Sequence, residues 1–401
     1  MKLNSASSLT ERPVKIWINA RFLMRRITGV ERVAHEILRA LAKNYLTPAG
    51  CYQAQGVNLV FAWALPSDFA DDLPAYGKDW ERRWVGTLRG HAWEQWDLAK
   101  FAPQDWLLNL CNTAPLFRRK QAVFFHDAQA FALPQNFDWK FRLWYKCLLH
   151  VAGRRAQVLF TNSYFSQGEL AKYTGIAKDR FVVTHLGVDH MADIEPTLPT
   201  AIEPSHEAAY VLAVSSASPN KNFAGVIAAL ADLQSNAHIG LSIPKLLIAG
   251  QTYSKVFQDS VVDRSACTEL GYVSDSELAG LYRLADCLVY PSFYEGFGLP
   301  PLEAMRMGGL VVVSKTSALA EVCGDSAFYC QPDDPHSIAQ AIESVLRLSS
   351  EERRLRQAKA LEHACQFTWQ RTAQTMLDTL LGKIASHTRP AVLSTQQQRE
   401  L

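Results

Sequence analysis

Short runs of apolar residues alternate with longer segments of helical periodicity along almost the whole chain. A short continuous apolar run is typical of a strand that is buried on both faces of a parallel sheet, whereas apolar residues three and four positions apart predict a helix. The runs predicted to be strands in the first half are VKIWINA, VNLVFAW, DWLLNL, QAVFFHD, QVLFTN and FVVTHLG. Those in the second half are AYVLAVSS, KLLIAG, TELGYV, CLVYPS and GLVVVSK.

Segments with helical periodicity separate these strands. They are GVERVAHEILRALAKN, FRLWYKCLLHVAG, SYFSQGELAKYTG, NFAGVIAALADL, SDSELAGLYRLAD and PLEAMRM. Alternation of strands and helices predicts parallel sheets that carry helices on both faces. Because there are two such series, we expect an α/β protein with two Rossmann-like domains. Ligands of such domains bind beyond the carboxyl ends of the strands, here in the cleft between the domains.

Residues 191–208 divide the two series. They contain three prolines, small polar residues and no sustained periodicity, which is typical of a linker. The predicted domains are therefore residues 1–190 and 209–367. A helix over residues 368–385 is expected to pack back on the first domain, and the polar segment 386–401 is expected to be a disordered tail.

The composition fits this organisation. The chain has 401 residues, the length of two ordinary domains, and 48% of them are hydrophobic. No apolar run approaches the ~20 residues that cross a bilayer, and the polar start lacks the apolar core of a secretory signal, so we expect a cytoplasmic protein. The eight cysteines form no Cys-x-x-Cys pair, and we expect reduced, buried thiols rather than disulfides or a zinc site.

Basic and acidic residues are distributed unequally between the two halves. Residues 1–190 contain 25 Lys plus Arg against 16 Asp plus Glu, and residues 191–401 contain 16 against 23. A basic first half predicts an anionic partner, such as a diphosphate, an acidic lipid head group or nucleic acid. Nucleic acid is disfavoured because the basic residues are not interleaved with an aromatic stacking array. The alternative is that these residues only solvate helix surfaces.

The stretch PSFYEGFGLPPLEAM, residues 291–305, has the composition of a turn from a strand into a helix. Pro300 and Pro301 mark the first helical turn, where a missing N–H group costs nothing. Gly296 and Gly298 allow the backbone to bend tightly and a ligand to approach it. Free N–H groups at a helix start form an anion site, most naturally for phosphate. The N–H groups expected to face the cleft are those of Phe297, Gly298 and Leu299.

Two glutamates, Glu295 and Glu303, flank this turn. A carboxylate beside a phosphate is unfavourable unless it recognises something else, and an ionised carboxylate accepts hydrogen bonds from a vicinal diol. A ligand with phosphates between two polyols would use every part of the turn, and a nucleotide sugar is such a ligand. The alternative is a proline-led turn with a glutamate that caps the helix.

The motif EGFGLPPLEAM resembles the Glu-x7-Glu signature of retaining glycosyltransferases of family 4, which have the GT-B fold of two Rossmann-like domains. The similarity extends upstream through LGYVSDSELAGLYRLADCLVYPS. The resemblance implies that Glu303 holds the ribose hydroxyls of the donor and that Glu295 holds the transferred sugar. It also implies that Tyr272 lines the nucleobase pocket and that the three amides hold the sugar and the diphosphate.

Three further landmarks resemble the same family. VSSASPNKNF is similar to its phosphate-binding loop and implies that Lys221 contacts the diphosphate, although serines stand at Ser215 and Ser216, where many members have an arginine. The charge would then be met by Lys221, by backbone amides or by a first-domain arginine. RRITGVERVAHEIL implies that Gly29 approaches the donor phosphates or the acceptor, and FFHDAQAFALP implies that His126 lies at the donor sugar. The alternatives are a solvated lysine at a helix start and a purely structural histidine.

The chain has no Asp-x-Asp pair, by which the other major glycosyltransferase fold holds a cation. We therefore expect no metal and no cofactor, with Lys221 and the helix start in place of a cation. The basic first domain further predicts contact with an anionic membrane at the inner face of the cytoplasmic membrane.

The residues and the resemblance together predict a retaining, metal-independent glycosyltransferase that uses a nucleoside-diphosphate sugar. His126 and Glu295 would orient the sugar while a leaving phosphate oxygen takes the proton of the acceptor. The segments NARFLMRRITGVERVAHEIL and LLNLCNTAPL resemble bacterial polysaccharide-cluster transferases, which favours mannose and an acceptor glycan linked to polyprenyl diphosphate. The turn does not distinguish GDP-, UDP- and dTDP-linked donors.

The expected product is a cell-surface polysaccharide such as O-antigen, capsule or exopolysaccharide. Two alternatives stay open. One is another GT-B enzyme, either a nucleotide-sugar 2-epimerase or a glycogen-type synthase. The other is a non-catalytic protein that binds a sugar nucleotide within an assembly complex.

Overall fold

A computed structural model describes residues 13–54, 57–200, 202, 210–215, 218–236, 244–250 and 267–388. Within these residues the strands form two sheets, one in each half of the chain. The strands are β1 (Val14–Asn19), β2 (Cys51–Ala54), β3 (Val57–Pro66), β4 (Glu81–Val85), β5 (Trp106–Asn109), β6 (Gln121–Phe124), β7 (Val158–Thr161), β8 (Phe181–Val183), β9 (Tyr210–Ser215), β10 (Lys245–Gly250), β11 (Cys267–Gly271), β12 (Cys287–Tyr290), β13 (Val311–Ser314) and β14 (Phe328–Cys330).

Helices connect the strands on both sides of each sheet. They are α1 (Gly29–Asn44), α2 (Gly90–Ala92), α3 (Leu98–Lys100), α4 (Gln129–Ala132), α5 (Trp139–Arg155), α6 (Tyr164–Thr174), α7 (Phe223–Asn236), α8 (Asp275–Leu284), α9 (Leu299–Arg306), α10 (Ser317–Cys323), α11 (Pro335–Leu346), α12 (Ser350–Ala364) and α13 (Trp369–Thr388).

The first sheet has the strand order β2-β3-β1-β5-β6-β7-β8, with β4 paired to β3, and the second has the order β11-β10-β9-β12-β13-β14. All described pairs are parallel except β2 with β3. Every apolar run predicted to be a strand contains one, because each supplies side chains that are buried in the core or, in β11, half-buried against it. The strands without such a signal are β2, β4 and β14, which lie at sheet edges and present exposed or half-buried residues.

The C-terminal helix α13 returns to the first half of the chain and packs against α1. The amide of Trp369 donates to Asp189 Oδ1 at 2.7 Å, and Thr372 Oγ1 donates to the carbonyl of His185 at 2.6 Å. The helix predicted over 368–385 thus forms, and it continues to Thr388, three residues into the predicted tail. The rest of that tail and most of the second half of the predicted linker lie outside the described residues.

Four cysteines, Cys111, Cys287, Cys323 and Cys330, are buried and reduced, as expected. The expectation of burial is wrong for Cys147 and Cys365, which are exposed on helix surfaces, while the other two cysteines are half-buried.

Candidate active site

A cleft of about 570 Å³ lies between the two sheets. Its walls include residues that directly follow β6, β7 and β12, so the carboxyl ends of strands from both sheets face it. All the predicted site residues except Tyr272 and Glu303 line this cleft. They are Gly29, His126, Lys221, Glu295, Phe297, Gly298 and Leu299.

Close contacts leave no room for a side chain at either glycine of the turn before α9. Gly298 has φ of 106°, a conformation that favours glycine, and a Cβ there would lie 2.5 Å from Leu319 Cδ2. A Cβ on Gly296 would lie 2.9 Å from the carbonyl oxygen of His126 and 2.7 Å from Asp127 Cβ. The backbone of Gly296 is therefore approached by residues of the first domain. The sequence had suggested that a ligand approaches it instead.

The start of α9 presents unused hydrogen-bond donors. Within the described residues, the amides of Phe297, Gly298 and Leu299 donate to no acceptor of the protein. The prolines that follow have no N–H group, and the helix dipole adds positive potential at this end. This end of the cleft can therefore bind an anion.

Lys221 and Glu295 form an ion pair inside the cleft. Lys221 Nζ donates to Glu295 Oε1 at 2.6 Å, and the two side chains are only 16% and 11% exposed. Lys221 also donates to the hydroxyl of Tyr290. The backbone of Glu295 is fixed by its amide, which donates to Ser317 Oγ at 3.1 Å. The pair places a cation and a carboxylate side by side, as a ligand with both phosphate and hydroxyl groups requires.

The loop that carries Lys221 is bonded to the turn before α9. Asn220 Nδ2 donates to the carbonyl of Tyr294 at 3.0 Å, and the carbonyl of Asn220 accepts from the amide of Phe293 at 2.8 Å. Asn222 has φ of 57° and donates through Nδ2 to Pro291 at 3.3 Å. The cation and the helix start thus form one rigid unit.

Lys221 is the one cationic side chain among the described residues that line the cleft. Among the same residues, no arginine of the first domain lines the cleft. The described structure therefore does not support the alternative that a first-domain arginine offsets the charge of the diphosphate. Ser215 ends β9, and Ser216 lies outside the described residues.

His126 is buried at the end of β6 and is a neutral side chain. Burial lowers the pKa of His126 to about 4, although a hydrogen bond to the carbonyl of Leu110 opposes this effect. Nε2 donates to that carbonyl at 2.9 Å, which leaves Nδ1 unprotonated. The ring stacks on Phe124, with centroids 4.6 Å apart. His126 can therefore accept a hydrogen bond from a hydroxyl group of a ligand.

Asp127 lines the cleft beside His126 and was not among the predicted site residues. Burial raises the pKa of its carboxyl group, which also accepts a hydrogen bond of 2.9 Å from the amide of Gln129. Its position directly after His126, at the end of a predicted strand, was a signal in the sequence that could have singled it out.

Glu303 and Tyr272 lie outside the lining of this cleft. Glu303 is buried, and its carboxylate accepts from the hydroxyl of Tyr282 at 3.2 Å and lies 3.5 Å from His190 Nε2. Tyr272 is 72% exposed, and the guanidinium of Arg26 lies 4.5 Å from its ring centroid. The roles assigned to both residues stay predictions.

A second cleft, of about 530 Å³, is lined by residues of α1, of the start of α8 and of the start of α13. Arg32 crosses it with two hydrogen bonds to Asp275, of 2.6 and 2.9 Å. His190 also lines it, accepts from Trp369 Nε1 at 3.0 Å and has no hydrogen-bond partner at Nε2. The buried nitrogen that faces Glu303 is therefore not satisfied by a hydrogen bond within the protein.

Hydrogen bonds join the two domains at the edge of the first cleft. The carbonyl of Gly296 accepts from Ser163 and Ser166 of the first domain. Glu321 of α10 accepts from the amides of Tyr164 and Phe165 at 2.9 Å each, at the start of α6. The sequence showed Ser163 only as a landmark, since each hydrogen-bond partner lies at least 130 positions away.

Glu321 also accepts from His185 Nε2 at 2.8 Å. Although burial opposes the shift, these three hydrogen bonds lower the pKa of the Glu321 carboxyl group. An ionised carboxylate at the start of α6 is further stabilised by the helix dipole. This contact therefore favours the closed arrangement of the two domains.

One arginine from the basic clusters of the first domain has a structural role. Arg118 is buried and donates to the carbonyls of Phe101, Ala102 and Asp105, so it holds a loop together. Burial lowers its pKa to about 10. Arg118 is thus a structural residue and is unavailable to an anionic partner.

The described part of the chain contains neither a cluster of metal ligands nor a helix that could span a membrane. No three His, Cys, Asp or Glu side chains in it are grouped as a metal site would require. None of its helices combines the length and the apolar character needed to span a membrane.

Comparison with known proteins places this arrangement in a family. Residues 196–362 match the family described as Glycosyl transferases group 1. The chain is 33% identical over 296 residues to the O-antigen chain mannosyltransferase B of Escherichia coli. The aligned region covers 71% of this chain and 76% of that protein.

It is also 40% identical over 120 residues, 30% of each chain, to a GDP-mannose-dependent alpha-(1-6)-phosphatidylinositol dimannoside mannosyltransferase of Mycobacterium tuberculosis. The structure of Anabaena HepE in complex with UDP and glucose superposes with a TM-score of 0.65 at 18% identity, over 92% of this chain and all of that chain. This likeness confirms the predicted GT-B fold. By its sequence, the chain belongs to the glycosyl transferases group 1 family and is a glycosyltransferase.

Proposed function

We propose that this glycosyltransferase moves a mannosyl group from GDP-mannose to a hydroxyl group of a growing cell-surface glycan, with retention of configuration and without a metal ion. Sugar transfer in polysaccharide biosynthesis follows from the family and from the O-antigen relative. The choice of mannose is supported by the names of both relatives, and the choice of GDP by the name of the mycobacterial one.

One observation carries the proposal. Gly29 and His126 of the first domain face Lys221, Glu295 and the free amides of the α9 start across a single cleft. A donor whose diphosphate lies at the amides and at Lys221 would have its sugar between Glu295 and His126. Binding would separate Lys221 from Glu295, because phosphate then takes the ammonium group and the sugar hydroxyls take the carboxylate.

The proposed chemistry relies on electrostatic stabilisation. Negative charge grows on the departing diphosphate, where the α9 amides and Lys221 act on it in a partly dry site. His126 is neutral, so it orients a sugar hydroxyl and adds no competing charge beside the sugar. The acceptor attacks from the face that the diphosphate leaves, and a phosphate oxygen takes its proton. In this proposal Lys221 and the α9 amides take the place of a metal cation at the diphosphate.

Glu303 and Tyr272 complete the proposed donor site. Glu303 would accept hydrogen bonds from the ribose hydroxyls in place of its contact with His190 Nε2, which is weak at 3.5 Å. Tyr272 is exposed and would cover the base once the donor is bound. Both placements are supported by the sequence resemblance, and that of Glu303 also by the lack of a hydrogen-bond partner at His190 Nε2.

The acceptor in this proposal is a glycan on polyprenyl diphosphate at the inner face of the cytoplasmic membrane. It is supported by the excess of basic residues in the first 190 residues.

The test is a product assay with purified protein. We expect release of GDP from GDP-mannose that depends on the acceptor, an α-linked product by NMR, and unchanged rates in EDTA. UDP- and dTDP-sugars serve as competing donors in the same assay. A β-linked product would contradict retention, and loss of transfer in EDTA that Mg²⁺ restores would contradict metal independence. Conversion of the nucleotide sugar without an acceptor would indicate an epimerase, and binding without turnover a non-catalytic protein.

A further inference from the structure

We propose that the first turns of α5 insert into an anionic bilayer and so place the mouth of the cleft at the membrane surface. This inference rests on the proposed function, in which the acceptor is linked to a lipid. The segment concerned is residues 138–143, called the α5 tip below.

The α5 tip lies on the surface of the protein. All six of its residues are exposed, so both sides of the helix face solvent over its first turn. Trp139 is 63% exposed, Phe141 46% and Leu143 62%. A surface helix normally buries its large apolar side chains, and three of them exposed within five positions form a patch that a bilayer interface would cover.

Cations surround these apolar side chains. Lys140 and Arg142 lie between them, and Lys146 is exposed one turn further on. From Trp139 to Arg155 the helix contains no acidic residue. The one carboxylate of the tip, Asp138, is engaged by the amide of Lys140 at 2.8 Å as the helix cap. Exposed aromatic groups among cations match an interface of acyl chains and anionic head groups.

The charge also argues against a second copy of the chain as the occupant. A symmetric contact between two α5 tips would bring Lys140 and Arg142 against their own copies without acidic residues to offset them. The area of three side chains is moreover small for a stable dimer. An anionic bilayer satisfies the apolar and the cationic groups together.

Aromatic stacking connects the α5 tip to the cleft. Phe141 stacks on Phe137, with centroids 5.4 Å apart, and Phe137 lines the cleft. Phe141 also stacks on Tyr145 at 5.7 Å, and the Tyr145 hydroxyl donates to the carbonyl of Asp127 at 3.1 Å. Insertion of the tip would therefore hold His126 and Asp127 just above the head groups, where the sugar of a lipid-linked acceptor lies.

The experiment measures co-flotation of the full chain with vesicles of phosphatidylethanolamine and phosphatidylglycerol, and with vesicles of phosphatidylcholine alone. The variant Trp139→Gln with Leu143→Gln removes the two most exposed apolar side chains of the tip. The matched control, Trp84→Gln with Leu355→Gln, removes side chains that are 54% and 65% exposed elsewhere. A charge variant, Lys140→Gln with Arg142→Gln, tests the electrostatic part.

We expect wild type to bind only the anionic vesicles, the tip and charge variants to bind at least about tenfold more weakly, and the control to bind like wild type. Binding should also weaken from about 0.1 M to about 1 M salt, where the Debye length falls to about 3 Å. Equal binding by wild type and the tip variant would overturn the proposal. So would self-association of wild type in sedimentation that the tip variant abolishes.

The flotation measurement can succeed or fail separately from the proposed function. Flotation needs no turnover, and transfer to a water-soluble acceptor is measured in parallel. The tip variant should keep that soluble rate within about twofold, while its rate on a lipid-linked acceptor in vesicles falls with its binding. If no protein transfers mannose although the flotation results hold, the donor or the acceptor is wrong and the membrane surface is right.

Discussion

The hydroxyl group of Ser163 donates a hydrogen bond of 2.6 Å to the carbonyl oxygen of Gly296 and so joins the two domains at the turn before α9. Ser166 donates to the same oxygen at 2.9 Å. Both serines are buried, so water does not compete for the carbonyl group. The positions of Glu295 and of the amides that follow Gly296 therefore depend on the first domain.

Replacing both serines, Ser163→Ala with Ser166→Ala, should lower kcat about 5- to 150-fold while the protein stays folded. Each hydrogen bond stabilises the closed arrangement by about 0.5–1.5 kcal/mol, so closure becomes less favourable by the sum. Steady-state kinetics with soluble acceptor and the radius of gyration from small-angle scattering check this. The control is Ser344→Ala, whose hydroxyl bonds only within α11. An unchanged kcat would show that closure does not depend on these bonds.

The variant Gly296→Ala should open the cleft and abolish transfer. Its Cβ would lie 2.7 Å from Asp127 Cβ and 2.9 Å from the carbonyl oxygen of His126, and neither group can move without the first domain. Gly168→Ala is the control, because a Cβ there meets nothing within 4 Å and alanine favours the interior of α6. Full activity of Gly296→Ala would mean that the domains separate during catalysis.

The variant Lys221→Met should reduce kcat about 10²- to 10³-fold, as expected for loss of a group that stabilises charge in the transition state. It also leaves Glu295 without its ion-pair partner, so Lys221→Met with Glu295→Gln should regain stability but not activity. Transfer rates and unfolding midpoints of the single and double variants measure the two effects. Lys172→Ala, at an exposed ion pair, is the control and should change little. A wild-type rate for Lys221→Met would remove Lys221 from the site.

Glu303→Ala should mainly weaken donor binding, whereas His126→Ala should mainly slow transfer. Saturating donor at 100 times its dissociation constant adds about 2.7 kcal/mol to the stability of a protein that binds it, so a thermal-shift titration with GDP-mannose reports binding directly. Glu303→Ala should need a higher donor concentration for the same shift, and His126→Ala should not. The reverse pattern would exchange the two roles.

His126 should make the folded protein less stable as the pH falls from about 6.5 to about 4. Burial lowers the pKa of His126 to about 4, and an unfolded histidine titrates near pH 6.5. Between these values the unfolded chain takes up a proton that the folded protein does not, so stability falls with pH and the effect is complete below the folded pKa. The full difference is about 3 kcal/mol.

Urea unfolding at pH 7 and pH 5 checks this sign. We expect wild type to lose about 2 kcal/mol more than His126→Asn between the two pH values. Burial also lowers the pKa of His35 to about 4, and this contribution is common to both proteins and cancels. Equal losses in the two proteins would show that His126 takes up its proton in the folded state.

Local chemistry determined a large part of this protein. The strands and helices follow from apolar runs and helical spacing, because each parallel strand must be apolar on both faces. Gly298 and the prolines after it determine the helix start and its free amides by backbone geometry alone. The first helix, Gly29–Asn44, has the bounds that its sequence predicts. In such segments the interacting residues are a few positions apart, so the local pattern is enough to predict the element.

The tertiary structure decided what each local feature faces. Gly296 is small because the first domain packs on it, Arg118 binds carbonyls of its own domain, and Lys221 pairs with Glu295. Partners such as Ser163 and Gly296 are 133 positions apart, and no local period relates them. The sequence therefore determined the elements and the chemistry available, and the packing of two separately patterned domains decided which of those groups meet in the cleft.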